Sequence, residues 1–95
     1  MKRYHMIVEG RVQGVGFRGF CQSHALGLHL TGSVRNMANG MVEIYAQGEE
    51  KNLHEFISLL RQGDRFIRVD DISIKETAVV PDETKFRYDY SSSWF

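Results

Sequence analysis

The 95-residue chain has one cysteine, one proline and no net charge, since 12 Lys and Arg face 12 Asp and Glu. Each shortage excludes something. A lone Cys21 cannot close an internal disulfide, which rules out the stapled scaffold of a small secreted domain. His5, His24, His29 and His54 show no metal-ligand spacing and have no second cysteine to join them, so no metal or other cofactor is expected. Balanced charge supplies no field to gather nucleic acid or anionic lipid, so neither partner is expected. No apolar run nears the ~18 residues of a membrane span, and Met1–His5 is not followed by the apolar core of a signal peptide. These absences lead to a cytoplasmic protein, with residues 1–95 forming a single domain and nothing demanding more than a monomer. A chain of this size buries only roughly 60–65% of its unfolded surface, so its stability margin is modest.

The apolar residues that are present fall into two periods. Tyr4 to Val8 alternates as a strand. Phe17, Phe20, Cys21, His24, Ala25 and Leu28 recur at helical spacing, with Gly27 weakening the end. Gly32 to Met37 is a second strand, Asn39-Gly40 offers the positive-φ chemistry of a tight hairpin, and Met41 to Ala46 alternates again. Leu53, Phe56, Ile57 and Leu60 form a second amphipathic stripe that stops at Gly63. Ile72 and Ile74, then Phe86, Tyr88 and Tyr90, mark two further strands. Arg61, Arg65 and Arg68 read as a solvated loop, and Ser91 to Phe95 has no assignable structure. The order β-α-β-β-α-β with an additional C-terminal strand predicts an α+β fold, a ferredoxin-like α/β sandwich. Its sheet should be mostly antiparallel, with both helices on one face.

The segment Gly10-Arg11-Val12-Gln13-Gly14-Val15-Gly16-Phe17-Arg18-Gly19 lies between the first strand and the first helix. It contains a G-x-G-x-x-G match, yet the region that should carry a ribose-binding acid holds Val34, Arg35, Asn36 and Asn39 instead. A dinucleotide site is therefore disfavoured. A purely structural glycine turn remains an alternative. Against it, Gly14 and Gly16 let successive backbone N–H groups converge on an anion, and the helix start adds its positive dipole end. Arg18 in the first helical turn opposes that dipole unless an anion is present. Asn36, near the end of its strand, is an ordinary turn former, but its amide also donates and accepts at once and so can orient a water.

Val8-x-Gly10-x-Val12-Gln13-Gly14-Val15-x-Phe17-Arg18 resembles the first signature of the acylphosphatases at every fixed position. Gly32-x-Val34-Arg35-Asn36-x-x-x-Gly40-x-Val42-x-x-x-x-x-Gly48 resembles the second. The resemblance spans essentially the whole chain. One departure is Ser33, where the family usually has an aromatic. The resemblance implies hydrolysis of a small-molecule acyl phosphate to a carboxylate and inorganic phosphate. It also implies roles: Gln13, Gly14, Val15, Gly16, Phe17 and Arg18 bind the phosphoryl group, Arg18 is its charged clamp, and Asn36 positions the attacking water. A module that binds phosphate or carbamoyl phosphate without turnover is the alternative, and an RNA-binding ferredoxin-like module is a third reading. Cys21 and His24 fall on the apolar helix face and read as core. Asp70-Asp71 point to opposite faces of a strand and make a poor cation site.

Overall fold

The computed structural model describes residues 1–93. Five strands and two helices alternate: β1 (Lys2–Arg11), α1 (Phe17–Gly27), β2 (Thr31–Met37), β3 (Val42–Gly48), α2 (Glu50–Gln62), β4 (Arg68–Thr77) and β5 (Phe86–Ser93). The strands form one sheet in the order β4-β1-β3-β2-β5. β1 is antiparallel to β3 and β4, β2 is antiparallel to β3, and only β5 lies parallel to its neighbour β2. The expected two-layer arrangement therefore holds, with a mixed sheet.

Alternation decides which face is covered. Tyr4, Met6 and Val8 of β1 stand with Val34, Val42, Ile44, Ala46 and Phe86 in one buried cluster. The helix stripes Phe17, Cys21, Ala25 and Leu53, Phe56, Leu60 join the same cluster. Burying a side chain of this kind stabilises by about 1.5–3 kcal/mol, so this layer holds the two helices on the sheet. The alternate residues of the central strands form a polar network on the other face. His5 Nε2 lies 2.8 Å from Glu43 Oε2, and Arg35 Nε donates to Glu43 Oε1 at 2.6 Å. Arg3 donates to Glu83 at 2.7 Å and to Gln47 at 3.3 Å, while Gln47 exchanges two bonds with the Val80 backbone. These bonds anchor the connection that carries the chain from β4, at one edge of the sheet, to β5 at the other.

Three local expectations are corrected. The β2–β3 turn spans residues 38–41 and is not a two-residue hairpin. Gly40 alone takes a positive φ there (91°), while Asn39 accepts a hydrogen bond from Met41 N through its side chain at 3.0 Å. Of the three arginines read as loop, Arg61 lies in the last turn of α2 and Arg68 is the first residue of β4, bonded to Asp70 at 2.9 Å. That strand starts early because β1 continues past Val8 to Arg11 across a bulge at Glu9/Gly10. Gly10 permits the bulge: its φ is 138°, and a Cβ there would collide with the Arg68 carbonyl. Finally, Ser91–Ser93 extend β5, and the remainder of the unassigned tail lies outside the described residues.

Glu43 couples this network to pH. Burial pushes its carboxyl up, but the hydrogen bonds from His5 and Arg35 outweigh burial and hold it below the ordinary 4.5. A depressed carboxylate contributes stability above its unfolded value and loses that contribution as pH falls through the folded one. Glu43→Gln is therefore expected to cost about 1–2 kcal/mol at pH 7, as loss of charged hydrogen bonds does. The gap between wild type and variant should shrink below pH 4.5, the ordinary value. Urea unfolding at pH 7 and pH 3 checks this, and an equal gap at both would contradict it.

Candidate active site

Strand direction brings the site together. β1 and β2 are both antiparallel to β3, so they run the same way, and β5 runs parallel to β2. The loop after β1, the end of β2 and the C-terminal part of β5 therefore lie at one end of the sheet. α1 starts there too, at Phe17.

The loop takes left-handed backbone at its two glycines. Gly14 and Gly16 have φ of 73° and 81°, and Gly16 is the N-cap of α1. A Cβ at either position would meet nothing within 4 Å, so glycine is needed for its conformation and not for space. The phenyl ring of Phe17 is buried in the core and fixes the loop's far end, and Val15 packs against the same cluster. No side chain caps α1, and its first turn holds no acidic residue. By contrast, the first turn of α2 holds Glu50, as a helix dipole favours.

Arg18 occupies that unfavourable first turn of α1. Its guanidinium lies 4.8 Å from the Tyr88 ring centre and 5.7 Å from that of Tyr90. Its Nη1 reaches the Asp89 carbonyl oxygen at 3.5 Å. Arg3, Arg35 and Arg68 each pair with a carboxylate, whereas among the described residues Arg18 does not. The two tyrosine faces hold the guanidinium in place, and neither carries a negative charge to pair with it. The stack does not need glycine at position 19, since a Cβ there would lie 3.9 Å from Tyr88 Cε2, an ordinary van der Waals contact.

Asn36 stands opposite Val42 on the face of the sheet that the helices cover. Its Oδ1 is buried and has no hydrogen-bond partner among the described residues. Both neighbours of Asn36 are tied to the other parts of the site. Arg35 lies beside Asp89 in the β2–β5 register, and Asp89 is the residue Arg18 reaches. On the other side, Gln13 Nε2 donates to the carbonyls of Met37 and Met41, both at 2.8 Å. This end of the sheet thus holds a loop with two left-handed glycines, and, among the described residues, an arginine with no carboxylate partner and a buried amide oxygen with no hydrogen-bond donor.

The acylphosphatase family model matches residues 4–88. This chain belongs to the acylphosphatase family. It is 48% identical over 90 residues to an acylphosphatase of Clostridium acetobutylicum, covering 95% of this chain and 99% of that one. The crystal structure of the acylphosphatase from Bacillus subtilis superposes with a TM-score of 0.86 at 40% identity, covering all of both chains. HypF from T. kodakarensis contains a similar unit: TM-score 0.83 and 34% identity over 97% of this chain, but only 12% of that longer one.

Other titratable groups of this acylphosphatase stay outside the site. Cys21 is buried, and burial pushes its thiol well above the ordinary 9.0, which makes it a poor nucleophile. The ring of His24 packs edge-on against Phe20 at 4.5 Å. Among the described residues no three His, Cys, Asp or Glu side chains converge on a metal position, and no helix is long and apolar enough to cross a membrane. Two residues escape a reading by motif: Tyr88 and Tyr90 look like ordinary strand aromatics until β5 is placed beside β2. Gln13 is part of the first signature, but the signature does not show that its side chain bridges to the β2–β3 turn.

The two loop-end glycines should respond in opposite ways to alanine. Gly16→Ala forces a left-handed L-residue, at about 1–2 kcal/mol, and should also reduce the thermal stabilisation given by inorganic phosphate. Gly19→Ala sits in a helix with open space and should be neutral or stabilising by up to about 1 kcal/mol. Melting curves with and without phosphate compare them, and equal losses in both variants would contradict the assignment.

Proposed function

We propose that the chain hydrolyses acyl phosphates to a carboxylate and inorganic phosphate, with the loop Gln13–Phe17 and Arg18 holding the phosphoryl group and Asn36 aligning the attacking water. The observation that carries this reading is the buried, unpartnered Asn36 Oδ1 at the same end of the sheet as the cradle. An isolated buried amide oxygen costs about 1–3 kcal/mol, and a phosphate-binding site has no use for one. A hydrolase does, because the oxygen can accept a hydrogen bond from water and turn its lone pair toward phosphorus.

The chemistry needs few parts. Phosphoryl transfer passes through a loose transition state, so catalysis is mostly positioning and charge stabilisation. The leaving carboxylate has a conjugate-acid pKa near ~4 and departs without a general acid. Backbone donors at Gly14–Phe17 and the Arg18 fork match the charge on the equatorial oxygens. Stacking on Tyr88 and Tyr90 lets Arg18 meet that charge with little further ordering. The substrate is a small molecule, and the enzyme works as a cytoplasmic monomer, its single domain carrying the whole site.

Phosphate release from benzoyl phosphate in EDTA, followed for wild type, Arg18→Ala and Asn36→Ala, tests the assignment. Arg18→Ala should lower kcat/KM by at least about 10³-fold, the range for arginines at transferring phosphoryl groups. Asn36→Ala should lower kcat much more than it raises KM. Phosphate binding without turnover in the wild type would leave a binding module. Full activity in both folded variants would refute the residue roles while leaving the reaction class standing.

A further inference from the structure

The proposed mechanism needs a fixed distance between two parts of the chain that share no backbone ladder. The β1–β3 pairing ends at Val8–Val42, and beyond it β1 follows only β4 as far as Arg11. Asn36 pairs with Val42, at the very end of the β2–β3 ladder. The phosphate loop and the β2–β3 turn therefore leave the sheet side by side but unjoined by main-chain bonds. What joins them is the amide of Gln13. Both of its N–H groups are used, one on the Met37 carbonyl and one on the Met41 carbonyl, each at 2.8 Å. These carbonyls belong to the two residues that close the turn, where Met37 N also donates to Met41 O at 2.8 Å. Met37 directly follows Asn36.

We propose that Gln13 is a positioning residue whose side chain sets the separation between the phosphoryl group in the loop and the water on Asn36. The inference rests on the function proposed above. Its physical basis is the sensitivity of in-line attack to geometry: reacting atoms must lie about 3–3.5 Å apart, and a misplacement of about 1 Å costs on the order of 10²-fold in rate. Glutamine suits the task because a single nitrogen must present two donors to two carbonyls at this reach. Methionine has the length but no donor. Asparagine has the donors but is one methylene short.

Steady-state kinetics on benzoyl phosphate for wild type, Gln13→Met, Gln13→Asn, Asn36→Ala and the Gln13→Met/Asn36→Ala double variant test it, with folding verified by thermal unfolding. Gln13→Met and Gln13→Asn should each lower kcat by about 10–100-fold. KM and inhibition by inorganic phosphate should change less than about threefold, since Gln13 serves the loop through its main chain, which both substitutions keep, while its side chain is committed to Met37 and Met41. In the Asn36→Ala background the Gln13→Met change should have almost no further effect, because the group it positions is gone. If Gln13→Met does not fold, Gln13→Asn carries the same readings. A kcat within twofold of wild type in either folded variant overturns the proposal. So does loss of phosphate inhibition in step with kcat, or full additivity with Asn36→Ala. A wild type without turnover would fail the hydrolase reading itself and this inference with it, whereas an active wild type with insensitive Gln13 variants would sink only the tether.

Discussion

The β1–β3 ladder, Lys2–Val8 against Val42–Gly48, is the element on which the rest depends. It places Tyr4, Met6 and Val8 beside Val42, Ile44 and Ala46, the apolar strip that both helices cover. It also sets direction: β2 and β4 pair antiparallel to the central strands, and β5 follows β2. The place where this ladder stops matters as much as where it runs. Past Val8–Val42 the main chains part, and the opening between them is where the glycine loop, Arg18 and Asn36 collect.

The site is assembled from features that would be unfavourable anywhere else. Two glycines hold left-handed backbone, an arginine occupies the positive end of a helix dipole, and an amide oxygen is buried without a partner among the described residues. Each costs stability on the order of a kcal/mol or less to a few. The core distributes these costs over many buried apolar contacts, and the opposite face of the sheet adds the Arg35–Glu43–His5 and Arg3–Glu83–Gln47 networks. Arg35 and Asn36 are neighbours with divided roles: one side chain braces the polar face, the other lies on the covered face beside the loop. A strand's alternation makes that division possible. Ser33, two residues before Arg35 on the same strand, belongs to the polar face and pairs with Tyr45.

Much of this was legible in the chain. Periods of two and of three to four residues located the strands and both helices, and the glycine spacing singled out the turn before α1, where Gly14 and Gly16 take left-handed backbone. The shortfalls have specific causes. The β2–β3 turn misled because Asn-Gly allows two geometries, and the Asn39 side-chain bond to Met41 selects the longer one. β1 and β4 ran longer than their apolar alternation because their ends are held by a bulge and by main-chain pairing, neither of which leaves a hydrophobic pattern.

The sequence by itself determined the elements, their order, the buried stripe and the identity of the charged and amide groups, because these follow from local conformational preference and from which side chains avoid water. Only the tertiary structure decided that Tyr88 and Tyr90 stack on Arg18 and that the Gln13 side chain spans to Met37 and Met41. Those contacts join residues far apart in the chain. They exist only once strand pairing has brought three strand ends to one end of the sheet, and register is a property of the whole sheet.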